Sequence, residues 1–213
     1  MKLNKLIAIA TISLLSGGIS MAQKALNLED IVAGNIIQTK GIGSMTWLKD
    51  GERYSRLENN KQTGGTDIVA YRAKDNSREV IIPSSLLTDK STGRPIPVRS
   101  VSWSADNEKV LIYNNTRRVW RYDTRGDYWV LNLKDGALRQ LGKGMPESSM
   151  MFAKFSPDGT RVAYVSNNNI YVEDVASGQI TQLTYDGSQT IVNGTFDWVY
   201  EDCLLYTSPS PRD

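Results

Sequence analysis

Apolar and polar positions alternate with period two over much of this chain, and the alternation predicts strands. The clearest case is Arg161-Val162-Ala163-Tyr164-Val165-Ser166, in which Val162, Tyr164 and Ser166 fall on one side and Ala163 and Val165 on the other. The strands recur in a fixed grammar: an aromatic residue, a short polar turn, then an alternating strand. It is written in Trp47-Leu48-Lys49-Asp50-Gly51-Glu52-Arg53-Tyr54, in Trp103-Ser104-Ala105-Asp106-Asn107-Glu108-Lys109-Val110 and in Phe155-Ser156-Pro157-Asp158-Gly159-Thr160-Arg161-Val162, with the aromatics 56 and then 52 residues apart. Pro157 pre-sets the first turn position, Asp158 can bond its own backbone, and Gly159 accepts a positive φ. In the second copy Asn107 stands where that glycine would be, and asparagine is the next most tolerant residue there.

Each unit closes with a second hairpin. Asn169 to Val175, the turn Ala176-Ser177-Gly178 and Gln179 to Leu183 form the last; Tyr128 to Leu133, Lys134-Asp135-Gly136 and Ala137 to Leu141 the middle one. Asp67 to Tyr71 followed by Arg78 to Ile82 is a weaker first copy. Four short strands per roughly 50 residues match a propeller blade; a β-sandwich also has short strands but would not repeat this grammar in register. The expected fold is all-β, an incomplete β-propeller of about three four-stranded blades over residues 23–202. Propellers close with about four to eight blades, so this array is expected to be open. Ahead of it, residues 26–32 read as a short helix with Asn27 as N-cap and Gly34 as its stop.

The first residues read as a signal peptide, residues 1–22. Lys2 and Lys5 precede an apolar run from Leu6 to Leu15, and Ser20-Met21-Ala22 supplies small residues before Gln23. The run is too short to span a bilayer, which takes about 20 residues. Export, periplasmic or secreted, is therefore expected, with no membrane association after cleavage. The chain has 25 basic and 23 acidic residues, and cleavage removes two lysines and no acid, leaving 23 of each. A neutral chain lacks the excess charge that drives nucleic-acid binding. There is no histidine, so no Ser-His-Asp triad and few kinds of metal site can form within the chain, and the single Cys203 excludes an internal disulfide. No catalytic residue, metal or cofactor is expected here.

The middle unit is longer than the last because of the segment Asn115 to Gly126, which carries Arg117, Arg118, Arg121 and Arg125 with Trp120 and Tyr122. An insertion between blade strands lies on a rim or face, where binding groups concentrate. Three readings fit its composition. It is a solvated hairpin whose arginines pair with local acids such as Asp123 and Asp127; or a nucleic-acid site of interleaved arginine and aromatic residues, which export and neutrality disfavour; or a clamp for carboxylates or carbonyls, suited to the planar guanidinium fork.

The segment Asn193-Gly194-Thr195-Phe196-Asp197-Trp198-Val199-Tyr200-Glu201 is similar to the Asp-Trp-Val-Tyr-Glu signature of the dipeptidyl peptidase IV family, serine exopeptidases with a propeller before a hydrolase domain. The resemblance covers roughly residues 25–202 and implies the N-terminal part of a bacterial, exported enzyme. Such an enzyme releases dipeptides with proline or alanine in second position. The resemblance implies that Arg121, of the Trp120-Arg121 pair, hydrogen-bonds a carbonyl of the bound dipeptide, and that Glu201 and Asp202 lie at the site for the substrate's N-terminal ammonium. The family pattern continues Glu-Glu after the signature glutamate, whereas Asp202 and Cys203 stand at those places here. One aspartate and a thiol hold an ammonium less well than two carboxylates, so the site as written is incomplete. Residues 203–213 fit neither a blade nor the family and read as a non-native tail. The nucleophile, its acid and its histidine are expected in a C-terminal hydrolase domain outside this chain, whose partner is the N-terminus of a peptide substrate. A non-catalytic periplasmic propeller that binds a protein partner is the rival reading, and the Phe-Ser-Pro-Asp-Gly turn does not separate the two.

Overall fold

The computed structural model describes Leu28, residues 43–119 and residues 122–195 of the chain. The expected signal peptide, the helix over 26–32 apart from the helical Leu28, Trp120-Arg121, Phe196 to Asp202 and the tail 203–213 lie outside the described residues. The chain divides into two compact units, and the described strands all belong to the second, Ile42–Asp213.

Three antiparallel four-stranded sheets follow one another, each a simple meander of sequential strands. The first holds β1 (Thr46–Trp47), β2 (Arg53–Asn59), β3 (Thr66–Arg72) and β4 (Arg78–Ile82). A 3-10 turn at Ser84–Leu87 and a small hairpin of β5 (Thr88–Asp89) and β6 (Arg94–Pro95) lead to the second sheet. That sheet holds β7 (Ser100–Trp103), β8 (Lys109–Val119), β9 (Tyr122–Asn132) and β10 (Ala137–Gln140). The third holds β11 (Met151–Phe155), β12 (Arg161–Ser166), β13 (Asn169–Asp174) and β14 (Ile180–Gln182). These are the three blades of an incomplete β-propeller. The β5–β6 hairpin was not foreseen from the sequence.

The turns form as their side chains dictate. Gly51, Asn107 and Gly159 have φ of 69°, 58° and 66°. Just ahead of each, an aspartate accepts backbone N–H bonds from the residues that follow: Asp50 from Glu52 and Arg53, Asp106 from Glu108, Asp158 from Thr160, all at 3.0 Å. The same closing bond recurs in each copy, from the amides of Leu48, Ser104 and Ser156 to the carbonyls of Arg53, Lys109 and Arg161. The closing hairpins repeat as well: Asn76, Gly136 and Gly178 have positive φ and donate their amides to the carbonyls of Arg72, Asn132 and Asp174.

The core lies between blades rather than within them. Ile68, Ile82, Leu87 and Ile96 pack with Val110, Ile112 and Leu131 at the first junction. Leu111, Tyr128, Val130, Leu141 and Met150 pack with Val162 and Tyr164 at the second. Successive side chains of a strand point to opposite faces, so the run Val110-Leu111-Ile112 of β8 serves both junctions and is at most 2% exposed. Burying each such side chain contributes about 1.5–3 kcal/mol. The second junction also carries a polar tie. Glu173 of β13, 1% exposed, accepts from the Gly142 amide at 2.8 Å and the Tyr164 hydroxyl at 3.2 Å, and pairs with Arg139 of β10 at 3.2 Å.

Candidate functional site

The inserted segment is a continuation of the blade's own central hairpin. β8 and β9 pair regularly from Lys109↔Asn132 to Asn114↔Asp127 and continue through Arg117↔Arg125 to Val119↔Tyr122, with a register shift on either side of the Arg117 pair. A two-stranded ribbon therefore extends past the four-stranded sheet as far as Val119↔Tyr122. The first irregularity coincides with Asn115, at φ 43°.

The ribbon's base is held by side chains that bond only in this geometry. The Asp127 carboxylate, 6% exposed, accepts from Asn115 Nδ2 at 2.6 Å and from the Ser148 amide at 2.8 Å. Ser148 Oγ donates to the Asn115 carbonyl at 2.5 Å, and Gly126 and Met150 exchange both backbone bonds. The loop before β11 thus grips both strands of the ribbon. Tyr113 stacks on Tyr128 with ring centroids 4.7 Å apart, and its hydroxyl donates to the Asp123 carbonyl at 2.7 Å. That crossing needs Gly126, because a Cβ there would lie 2.4 Å from Tyr113 Cε2 and 2.6 Å from the Asn114 carbonyl oxygen. Burial pushes the Tyr128 phenol up to about 12, and burial, then the neighbouring Tyr128 and Asp123, raises that of Tyr113. Both stay neutral near physiological pH, so Tyr113 remains a donor.

Among the described residues, the two local acids are held by partners other than the ribbon's arginines. Asp123 pairs with Arg99, from the segment before β7, at 3.1 Å, and Asp127 is taken up by Asn115 and Ser148. Of the residues expected to touch substrate, Arg121, Glu201 and Asp202 lie outside the described residues. What is described is the ribbon on either side of Trp120-Arg121 in the sequence. Asn115, Gly126, Asp127 and Ser148 were not recognised from sequence; Gly126 at the end of an arginine-rich insertion was the one local signal.

The model of the dipeptidyl peptidase IV (DPP IV) N-terminal region matches residues 104–208. The chain is 27% identical over 199 residues to a probable dipeptidyl-aminopeptidase B of Aspergillus terreus, covering 89% of this chain and 21% of the relative. It is 34% identical over 102 residues to the corresponding protein of Chaetomium globosum, covering 48% of this chain and 11% of the relative. The crystal structure of Porphyromonas gingivalis dipeptidyl peptidase 4 matches with a TM-score of 0.65 at 25% identity, over 84% of this chain and 24% of that one. The chain spans about a fifth of the length of these curated relatives where the match is most extensive.

Proposed function

Because the chain carries the N-terminal propeller region of a dipeptidyl peptidase IV-like peptidase, we propose that it positions the amino end of a peptide for removal of its first two residues by a serine hydrolase domain of the same protein. In this reading Arg121 hydrogen-bonds a carbonyl of the dipeptide, Glu201 and Asp202 attract its ammonium, and proline or alanine is preferred in second position. Acyl transfer belongs to the hydrolase domain, since this chain contains no histidine to serve as its base. The protein is exported after loss of residues 1–22. No helix among the described residues is long and apolar enough to cross a membrane.

The observation that supports this reading is the ribbon of β8 and β9. Its last described pair, Val119↔Tyr122, flanks Trp120-Arg121 in the sequence, and its base is fixed by Asp127, Gly126 and Tyr113. A positioning arginine acts only if its platform does not yield. The test is steady-state kinetics of the full-length protein on a Gly-Pro chromogenic amide. Losing a hydrogen bond from a charged donor costs about 1.5–3 kcal/mol, so Arg121→Ala should lower kcat/KM by about tenfold or more. An N-acetylated substrate should not be cleaved. Unchanged kinetics in Arg121→Ala, or ready cleavage of the blocked substrate, would refute the assignment.

A further inference from the structure

We propose that Arg117 and Arg125 form a carboxylate site on the ribbon, which takes an acidic residue of the peptide substrate beyond the dipeptide to be released. The proposal rests on the positioning role of the ribbon and adds a substrate class to it. Arg117 of β8 and Arg125 of β9 are direct partners across the ladder. Like charges in that arrangement repel and weaken a strand pair, so the placement opposes stability unless an anion sits between them.

The environment of Arg125 points the same way. Its Nε is buried and has no hydrogen-bond partner. Orphaned buried donors are uncommon in folded proteins. The acids that would satisfy an arginine are already committed: Asp123 to Arg99 and Asp127 to Asn115 and the Ser148 amide. Arg117 is exposed and makes no ion pair among the described residues, so its guanidinium is accessible to a ligand.

The chemistry selects a carboxylate. Two guanidiniums on neighbouring strands offer planar forks that match its two oxygens, and lysine would not reproduce the match. The distance selects where on the substrate it lies. Arg125 is four residues along the chain from Arg121, a separation of at most about 14 Å for a fully extended chain. An extended peptide covers that length in about four residues. With Arg121 at the dipeptide, the carboxylate falls on the third to fifth substrate residue.

The experiment uses the full-length protein and peptides beginning Gly-Pro with Asp or Asn at the third, fourth or fifth position. The wild type should prefer Asp to Asn at one of these positions by about five- to tenfold in kcat/KM, and the preference should fall as salt rises. Arg125→Ala and Arg117→Ala should each abolish it while leaving the Gly-Pro chromogenic amide unaffected; Arg117 is exposed, so its variant also guards against misfolding. Arg125→Lys should restore part of it. Arg117→Thr should raise Tm as it abolishes the preference, because it relieves the repulsion, and a purely structural arginine would not couple those effects. No Asp preference at any position, a preference that survives both alanine variants, or a Tm that does not rise would overturn the proposal. Loss of amide turnover in Arg121→Ala reports on the underlying positioning role separately.

Discussion

Removing Arg139 should unfasten the second blade from the third. Its guanidinium pairs with Glu173 at 3.2 Å and donates to the carbonyls of Asp174 at 3.1 Å and Val175 at 2.9 Å, so one side chain of β10 holds the whole end of β13. Glu173 is 1% exposed, and without Arg139 its carboxylate keeps only the Gly142 amide and the Tyr164 hydroxyl. Breaking a buried pair by removing one partner costs about 3–5 kcal/mol. The Arg139 side chain is 34% exposed, and water that reaches it lowers the expected cost of Arg139→Ala to about 2–3 kcal/mol. Glu173→Gln keeps an acceptor for the amide and the hydroxyl and should cost less, about 1–2 kcal/mol. The assay is urea unfolding followed by tryptophan fluorescence, with stabilities from linear extrapolation. In a double-mutant cycle the two substitutions should couple by about 1 kcal/mol or more. A loss below about 0.5 kcal/mol in Arg139→Ala, the range of an ordinary surface change, would show that the blades do not depend on this tie.

Gly126→Ala should disturb the ribbon more than the blade, because the added Cβ meets both the Tyr113 ring and the Asn114 carbonyl; about 1–3 kcal/mol of stability should be lost together with a rise in KM for dipeptide amides in the full-length protein, and wild-type kinetics would contradict the clamp. The blade turns should confer acid sensitivity. Hydrogen bonds, first from Ser104 and Ser156 and then from the backbone, hold the Asp106 and Asp158 carboxyls at about 2 against an ordinary 3.8. A depressed folded value stabilises the fold fully above pH 3.8 and progressively less as pH falls towards 2. The urea midpoint should therefore drop over that window, and less so in Asp106→Asn and Asp158→Asn, whereas an identical drop in the variants would exclude these turns as its source.

The blades were legible because their determinants are local. Asp158-Gly159 and Asp106-Asn107 specify their turns within a few residues, and the alternation of Val162, Tyr164 and Ser166 becomes the buried side of β12. The excess length of the middle unit was equally plain. That it continues the β8–β9 ladder was not, because the register shifts near Asn115 break the period-two pattern that reveals a strand. The tie between Arg139 and Glu173 joins residues 34 positions apart, and the clamp of Ser148 on Asp127 joins residues 21 apart. No local pattern encodes such pairs. The β5–β6 hairpin turns at Gly93, φ 66°, with Asp89 accepting from the Ser91 amide; the turn residues were visible, but two-residue strands carry no periodicity. The resemblance supplied Arg121, Glu201 and Asp202, and the described fold supplies the ribbon that leads to the first of them.

A crystal structure of the full-length protein with a bound Gly-Pro or Ala-Pro dipeptide tests the central claim most directly. The account expects the Arg121 guanidinium at hydrogen-bond distance, about 2.7–3.2 Å, from a carbonyl oxygen of the dipeptide. It also expects the ammonium beside the carboxylates of Glu201 or Asp202, and β8 and β9 paired as far as Val119↔Tyr122. A dipeptide bound with its ammonium and carbonyl held elsewhere, and the ribbon clear of it, would contradict the account.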